Sequence, residues 1–318
     1  METLQRLLKQ LFMLPTNTSD IAVYVLSGLL PVEAQIHKKA LVLFNNVCHQ
    51  NKNAVERRLA ERQLTVKTGK SNSWFIEVRR LFWWYELGEA EDLLKTPVKK
   101  EQWKRIVSKS VSLWWYNNFQ DQAQHMKSLK NLNFKAVTPG KPHPLLQLPS
   151  SSSYDANRLL VKLKFMSGTY ILQSNRASFN QNSVDPTCPL CNEAPETLSH
   201  FILNCSLMSE IRKPIIADIR FEIERLMPNT WDSFNTDEKV HTIIDCSGLS
   251  HRGKLTKTET LRLQSVEFHC RRLLFTLHTE RYRHLQIINV IKNKATSAVH
   301  SYKSNISRKV SSVSQTLH

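Results

Sequence analysis

Four potential metal ligands fall within a short stretch beyond the middle of the chain. They follow the spacing C-x2-C-x8-H-x4-C and are Cys188, Cys191, His200 and Cys205. Thiolate sulfur and imidazole nitrogen are the usual ligands of structural zinc, which takes four of them in a tetrahedron. Because the protein then fills all four positions, the spacing predicts one closed, structural Zn²⁺ site without an open catalytic position.

The residues between these ligands predict how the chain presents them. Pro189 stiffens the turn between the first two cysteines, because its φ is fixed. We expect Pro195 and Glu196 to form the first turn of a helix that carries His200, since proline and acidic residues are favoured there. Cys205 then lies near the start of the next helix. The alternative is that these residues are ordinary buried cysteines and a hydrogen-bonded histidine.

Composition favours helices over strands. The chain has 318 residues, of which 41% are apolar, enough for a sizeable core. Only 7 residues are glycine, well below the average share of about 7%. Few glycines leave few tight hairpin turns, and almost no alternating apolar pattern is present. The sequence therefore predicts a mainly α fold.

Proline and serine cluster in one stretch and predict a boundary there. Four prolines and four consecutive serines interrupt the helical periodicity after residue 137. The sequence predicts a helical part over 1–136, a linker over 137–153, a helix with the CCHC module over 154–230, a basic helical region over 231–292 and a disordered basic tail over 293–318. The tail is rich in Ser, Lys and Asn.

Helix boundaries are clearest in the first part. Thr18 or Ser19 is expected to cap a short helix from Asp20 to Ser27, which Gly28 stops, and Pro31 opens the next helix at its first turn. Five of the seven tryptophans lie between Trp83 and Trp115. Tryptophan beside Lys and Arg can form a base-stacking platform, but the helical spacing of these residues favours core packing.

The net charge predicts an acidic partner. The formal charge is +17, and residues 251–318 hold 13 Lys and Arg against 3 Asp and Glu. Such a segment predicts binding to RNA or DNA, while a solvated helix face with a disordered tail is the alternative. The basic candidates around the metal ligands are Lys162, Lys164, Arg176, Arg212 and Lys213.

No membrane or secretory segment is predicted. The chain lacks a run of eighteen apolar residues, and charged residues interrupt residues 1–14, unlike the apolar core of a signal peptide. Cysteines at metal-ligand spacing suit a reducing compartment. The sequence therefore predicts an intracellular protein, nuclear or cytoplasmic and not secreted, that does not enter a membrane. It does not predict an oligomeric state.

Recognisable catalytic motifs are missing from the sequence. Polymerases and nucleases need clustered carboxylates for two metal ions, and the acidic doublets Glu91-Asp92 and Asp237-Glu238 are expected to be solvated charges on helices. A glycine-rich phosphate loop, a G-x-S-x-G motif and an H-E-x-x-H motif are also missing. We therefore predict that the chain is not an enzyme.

Several stretches together resemble one family, the non-LTR (LINE-like) retrotransposon reverse transcriptases. Residues 14–37, with Gly28-Leu29-Leu30-Pro31, look like the segment after the polymerase palm, and the tryptophan region 83–129 looks like the connecting region. Residues 154–179 are similar to the segment before the family's zinc motif. The stretch from Cys188 to Cys205 matches the C-terminal CCHC motif most specifically. The resemblance covers most of the chain up to about residue 230.

The resemblance implies a C-terminal fragment, comprising thumb and connecting region and the zinc-binding end. The family's catalytic aspartates lie in a palm domain that this chain lacks, so polymerase activity is not implied. The four metal ligands carry over as Cys188, Cys191, His200 and Cys205, in a region that the family associates with nucleic-acid binding. The x8 spacing before His200 departs from the x4 of retroviral nucleocapsid knuckles, so stacking of the knuckle type is not implied.

Residues and resemblance together predict a non-catalytic, zinc-binding and nucleic-acid-binding remnant of a retrotransposon reverse transcriptase. In this interpretation the CCHC module is a structural staple near a basic surface. Two alternatives remain open. The chain is either a zinc-stapled helical scaffold that binds protein, with its charge serving solubility, or a transposon relic without a selected function.

Overall fold

The computed structural model describes residues 2–149, 152–180, 183–250 and 256–314. Side chains are described within those ranges from residue 4 to 290, except for residue 250. The chain divides into two compact units, each of which draws on more than one segment. The first comprises residues 1–149, 163–169 and 247–253, and the second comprises residues 150–162, 170–246 and 254–318.

The prediction of a mainly α fold is confirmed. In the described ranges every regular element is a helix, and the only β pairing there is an isolated antiparallel bridge between Thr187 and Pro195. None of the described helices is both long and apolar enough to cross a membrane.

Eight α-helices lie in residues 2–149. They are α1 Glu2–Leu11, α2 Asp20–Ser27, α3 Val32–Cys48, α4 Val55–Val66, α5 Trp74–Trp84, α6 Ala90–Lys95, α7 Lys100–Gln124 and α8 Pro144–Gln147. Two short 3₁₀ turns, Lys127–Leu129 and Phe134–Ala136, follow α7.

The bounds of α2 and the start of α3 agree with the predicted boundaries, but Ser19 at the N-cap of α2 makes no capping hydrogen bond with its side chain. Gly28 has a φ of 69° and donates its N–H to the carbonyl of Tyr24, which closes α2 in the left-handed conformation that glycine adopts most readily. Its missing side chain also matters, because a Cβ at this position would lie 2.1 Å from the backbone of Lys141. Pro31 stands immediately before α3, where its absent N–H costs nothing.

The core of the first unit lies between α3, α5 and α7. Phe44, Phe82 and Trp103 are fully or almost fully buried there. The Phe82 and Trp103 rings stack with centroids 5.5 Å apart, and the Trp103 indole N–H donates to the carbonyl of Leu41 over 2.9 Å. Trp103 is thus a core residue, whereas Trp83 is largely exposed.

The stretch predicted as a linker contains ordered, buried structure in its described part. The N–H of His143 donates to the carbonyl of Leu26 over 2.9 Å, and His143 and Leu145 are buried. Helix α8 follows His143 directly. The prolines of this stretch therefore shape a packed turn within the first unit, and the compact unit continues to residue 149.

Five further α-helices follow in the described residues beyond 149. They are α9 Ser153–Met166, α10 Gln173–Phe179, α11 Ser209–Leu226, α12 Thr236–Ile244 and α13 Lys257–Ser314. Helices α11 and α13 pack along each other and form the main apolar core of the second unit. Ile215, Ile219 and Ile223 of α11 are buried on one face, as are Val266 and Leu273 of α13.

The backbone of residues 293–314 continues α13, where the sequence predicts a disordered tail. This segment is poor in large apolar residues, a composition that predicts disorder. It holds no Gly or Pro to stop a helix, however. The side chains of this segment, and residues 315–318 altogether, lie outside the described residues.

A buried network of charged side chains joins α9 and α13 within the second unit. Lys162 is fully buried and donates to Glu267, whose other oxygen accepts from Arg271 over 2.8 Å. Arg271 in turn donates to Asp155 over 3.0 Å, and the Cys246 thiol donates to Glu267 over 3.1 Å. Two cations and two carboxylates therefore compensate each other inside the protein.

Lys162 stays charged in this setting. Burial opposes its charge, but the attraction of Glu267 outweighs that effect and raises the pKa of Lys162. Burial raises the pKa of the Cys270 thiol beside it to about 12, so this thiol is protonated.

Replacing Lys162 by Met should destabilise the protein by about 3–5 kcal/mol, because the buried carboxylates of Glu267 and Asp155 are then left with one cation, Arg271. The matched control is Lys213→Met, which removes an exposed Lys213–Glu210 pair and should change stability by less than about 0.5 kcal/mol. Urea denaturation followed by circular dichroism measures both. Equal effects of the two substitutions would contradict the network's role.

Candidate metal centre

The first two ligands lie on a tight turn that backbone hydrogen bonds close. The N–H of Cys188 donates to the carbonyl of Ala194 over 2.8 Å, and the N–H of Asn192 returns to the carbonyl of Cys188 over 2.9 Å. Asn192 has a φ of 58°, a left-handed conformation that asparagine tolerates better than most residues. The turn therefore brings Cys188 and Cys191 to one side.

The other two ligands lie on one distorted helical turn. Helical structure begins at Leu198 and passes into a π-helical turn, His200–Asn204. The N–H of Cys205 donates to the carbonyl of His200 over 2.7 Å, five residues back. The wider π turn spaces His200 and Cys205 so that both reach the first pair, and such turns recur at functional sites.

The prediction that Pro195 and Glu196 form the first turn of this helix is wrong. Pro195 pairs with Thr187 in the isolated bridge, and the Glu196 side chain is buried. The helical turn is instead capped by Thr197, whose hydroxyl accepts the N–H of His200 over 3.2 Å. A threonine three residues before His200 is the sequence signal that identifies this cap.

The ligand atoms meet as a tetrahedral metal requires. The four atoms all lie within 4.8 Å of one another. The sulfurs of Cys188 and Cys205 are 4.0 Å apart, and the Cys191 sulfur lies 3.3 Å from Nε2 of His200. Zinc bond lengths of about 2.3 Å to sulfur and about 2.0 Å to nitrogen place neighbouring ligand atoms roughly 3.5–3.8 Å apart. The four residues therefore fit a tetrahedral ion.

The side chains of Cys188 and Cys205 are hydrogen-bonded to each other. Hydrogen bonding with Cys205 lowers the pKa of Cys188 to about 5, while the same bond raises the pKa of Cys205. Backbone N–H groups of Leu190 and Cys191 also support the Cys188 thiolate. A bound cation would displace the proton that Cys188 and Cys205 share in this hydrogen bond.

Two buried arginines that are not metal ligands hold the loop of the metal centre in place. Arg212, on the first turn of α11, donates to the carbonyl of Cys205 over 3.1 Å and so fixes the fourth ligand's backbone. Arg281 of α13 binds both oxygens of Glu196, at 2.7 and 2.8 Å. Glu196 also accepts the N–H of Gln173 at the start of α10 over 2.7 Å. These contacts tie the loop of the metal centre to three helices.

The structure separates the five basic residues that the sequence grouped around this module. Lys162 and Arg212 are buried and engaged with Glu267 and the Cys205 carbonyl, so their assignment to nucleic-acid contact is corrected. Arg176 and Lys213 are exposed, whereas Lys164 is half-buried and belongs to the first unit. Only the exposed cations can meet a phosphate backbone.

Comparison with known proteins adds no relative. No protein-family model, no curated protein and no solved structure matches this chain. The chemistry of the Cys₃His group and the surfaces around it are therefore the basis for assigning a function.

The protein should contain one equivalent of bound metal, and Cys191→Ser should remove it. Cys191 supplies one of four ligands, so its loss should unfold residues 186–210 locally, because binding and local folding are coupled. Elemental analysis and amide exchange of this segment measure the two effects. The control is Cys48→Ala, which changes a buried cysteine of the first unit outside the ligand set. A wild-type chain that is folded but free of metal would overturn the assignment.

Proposed function

We propose that the Cys₃His group holds one structural zinc ion. The support is the ligand chemistry, since three thiolates and an imidazole suit zinc and leave no open coordination position. Cys188 and Cys205 are fully buried and His200 nearly so, and a water-excluded ion of this kind adds folding free energy to a segment that lacks strands. Bound zinc would neutralise the negative charge of the clustered thiolates. The residues around the site would position these ligands.

The zinc module, in this proposal, is part of a surface that binds nucleic acid. The observation that carries this step is the net charge of +17, the excess of 44 Lys and Arg over 27 Asp and Glu. Arg176 on α10 is exposed and forms no ion pair with a described carboxylate. Lys213 on α11 is exposed and bound only to an exposed Glu210. Such cations attract phosphates and release counterions on binding.

The resemblance to the C-terminal region of non-LTR retrotransposon reverse transcriptases supports the same proposal. The matching segments are those outside the polymerase palm, so the proposed role is non-catalytic. The zinc module would hold the chain in a conformation that presents its exposed cations to RNA or DNA. Lys162 and Arg212 serve this role indirectly, by stabilising the fold.

The double substitution Arg176→Gln/Lys213→Gln should weaken binding to a nucleic-acid duplex about three- to tenfold at low salt. It should also reduce the slope of log K against log salt by about 2, because each lost phosphate contact removes about 0.9 from that slope. The matched control is Lys95→Gln/Arg105→Gln, since Lys95 is likewise in an exposed pair with an acidic residue and Arg105 is exposed. Fluorescence anisotropy across a salt series measures both variants.

One outcome would contradict nucleic-acid binding. Zinc-loaded, folded protein that binds neither RNA nor DNA at ~50 mM salt, where screening is weak, would reject the proposal. Equal losses in the two double variants would instead show that binding depends on overall charge and not on the zinc-bearing unit.

A further inference from the structure

A line of aromatic rings follows one side of α13 within the second unit. Phe275 contacts Tyr154 of α9 edge-on at 5.4 Å between centroids, and His278 lies 6.5 Å from Phe275. Tyr282 follows at 4.7 Å from His278. Phe268 stands two turns before Phe275, and Arg158 bridges it to Tyr154. We call these five rings, together with Arg158, the aromatic ladder.

The guanidinium of Arg158 lies between the rings of Tyr154 and Phe268 and contacts both. Its guanidinium carbon lies 4.5 Å from the centroid of the Tyr154 ring and 5.4 Å from that of Phe268. It forms no ion pair with any carboxylate in the described ranges, and its Nε is buried without a hydrogen-bond partner there. The positive charge of Arg158 is therefore not paired with a carboxylate of the described residues, and its remaining N–H groups can bind a ligand.

The ladder is open to solvent, unlike a core cluster. The exposed fractions are 53% for Tyr154, 36% for Phe268 and 48% for Tyr282. Three large rings on one connected surface leave apolar area in water, and contiguous exposure of this kind marks interaction sites. The buried side of α13, by contrast, already packs on α11.

The charge around the ladder favours an anionic partner. Residues 260–290 of α13 hold five arginines and only two carboxylates, Glu267 and Glu280. Glu267 is buried within the charge network, and Glu280 binds Arg283 at 2.7 Å. No described carboxylate of this segment is therefore unpaired, and an apolar protein partner would have to leave Arg158 without a counter-charge.

We propose that the aromatic ladder binds single-stranded nucleic acid, with bases stacked on Tyr154, Phe268 and Tyr282 and phosphates held by Arg158. The inference rests on the proposed function and assigns it a substrate class and a surface. Stacking needs unpaired bases with free faces, which a duplex does not offer. Phe268 and Tyr282 are fourteen residues apart, roughly 21 Å along the helix, enough for a strand of about four nucleotides.

The test uses the full-length, zinc-loaded chain and fluorescent probes of about twelve nucleotides, uridine or deoxythymidine, beside a duplex of the same length. Phe268→Leu/Tyr282→Leu keeps apolar volume but removes the stacking faces. It should weaken single-strand binding by tenfold or more, leave the salt slope unchanged because no charge is lost, and leave duplex binding unchanged. Tyr282→Phe should bind as wild type does.

The matched control is Phe221→Leu on α11. Phe221 is exposed and lies 5.4 Å from the Arg225 guanidinium, so it repeats the aromatic–arginine pairing outside the ladder. We expect it to bind single strands as wild type does. Photo-crosslinking of the wild-type complex, mapped by peptide mass, should label Tyr154 or Tyr282 and gives a readout that no variant's folding can affect.

The outcomes distinguish failure of the aromatic ladder as a binding surface from failure of nucleic-acid binding as a whole. Wild-type binding that the Leu pair leaves intact, with crosslinks elsewhere, would overturn the ladder while nucleic-acid binding stands. An equal loss for duplex and single strand would also overturn it, because that pattern indicates charge alone. Wild-type protein that binds no probe at low salt would remove both proposals together.

Discussion

Buried charge compensation is the constraint on which the second unit depends. A charge removed from water costs several kcal/mol unless a partner of opposite sign meets it. Within this unit the buried cations Lys162, Arg271 and Arg281 contact the buried carboxylates of Asp155, Glu196 and Glu267. All the contacts involve α13, so the pairing fixes which face of this helix turns inward and how α9 and the loop of the metal centre lie against it.

The metal centre and this pairing depend on each other. Glu196 follows the turn that carries Cys188 and Cys191, and its contact with Arg281 fixes the position of that turn. Arg281 also lies 6.0 Å from the Phe201 ring, next to His200 in the chain. A metal ion at the four ligands would in turn hold Glu196 in reach of Arg281. Loss of either contact should therefore loosen the same loop, although only one of them involves a ligand.

Local features of this fold could be predicted from the sequence, whereas long-range partners could not. Gly28 and Pro31 set helix boundaries by their own backbone preferences, and the four metal ligands lie close enough in the chain for spacing to identify them. Lys162 and Glu267, by contrast, are separated by 105 residues. Nothing near Lys162 in the chain indicates that it is buried, so the sequence groups it with exposed cations such as Lys213. The burial of Glu196 likewise depends on a distant partner, because Arg281 lies 85 residues away.

Burial also changes what the net charge of the chain means. A count of Lys and Arg treats every cation as available, yet the largest fully buried side chain is that of Arg271, and Lys162 is as inaccessible. Buried and surface cations alternate along α13, because successive residues face different sides of the helix. Arg271 and Arg281 face inward to carboxylates, while Arg272 and Arg283 stay at the surface. Of the two carboxylates in residues 260–290, Glu267 is bound by the inward Arg271 and Glu280 by the outward Arg283, so neither is left unpaired beside the aromatic ladder.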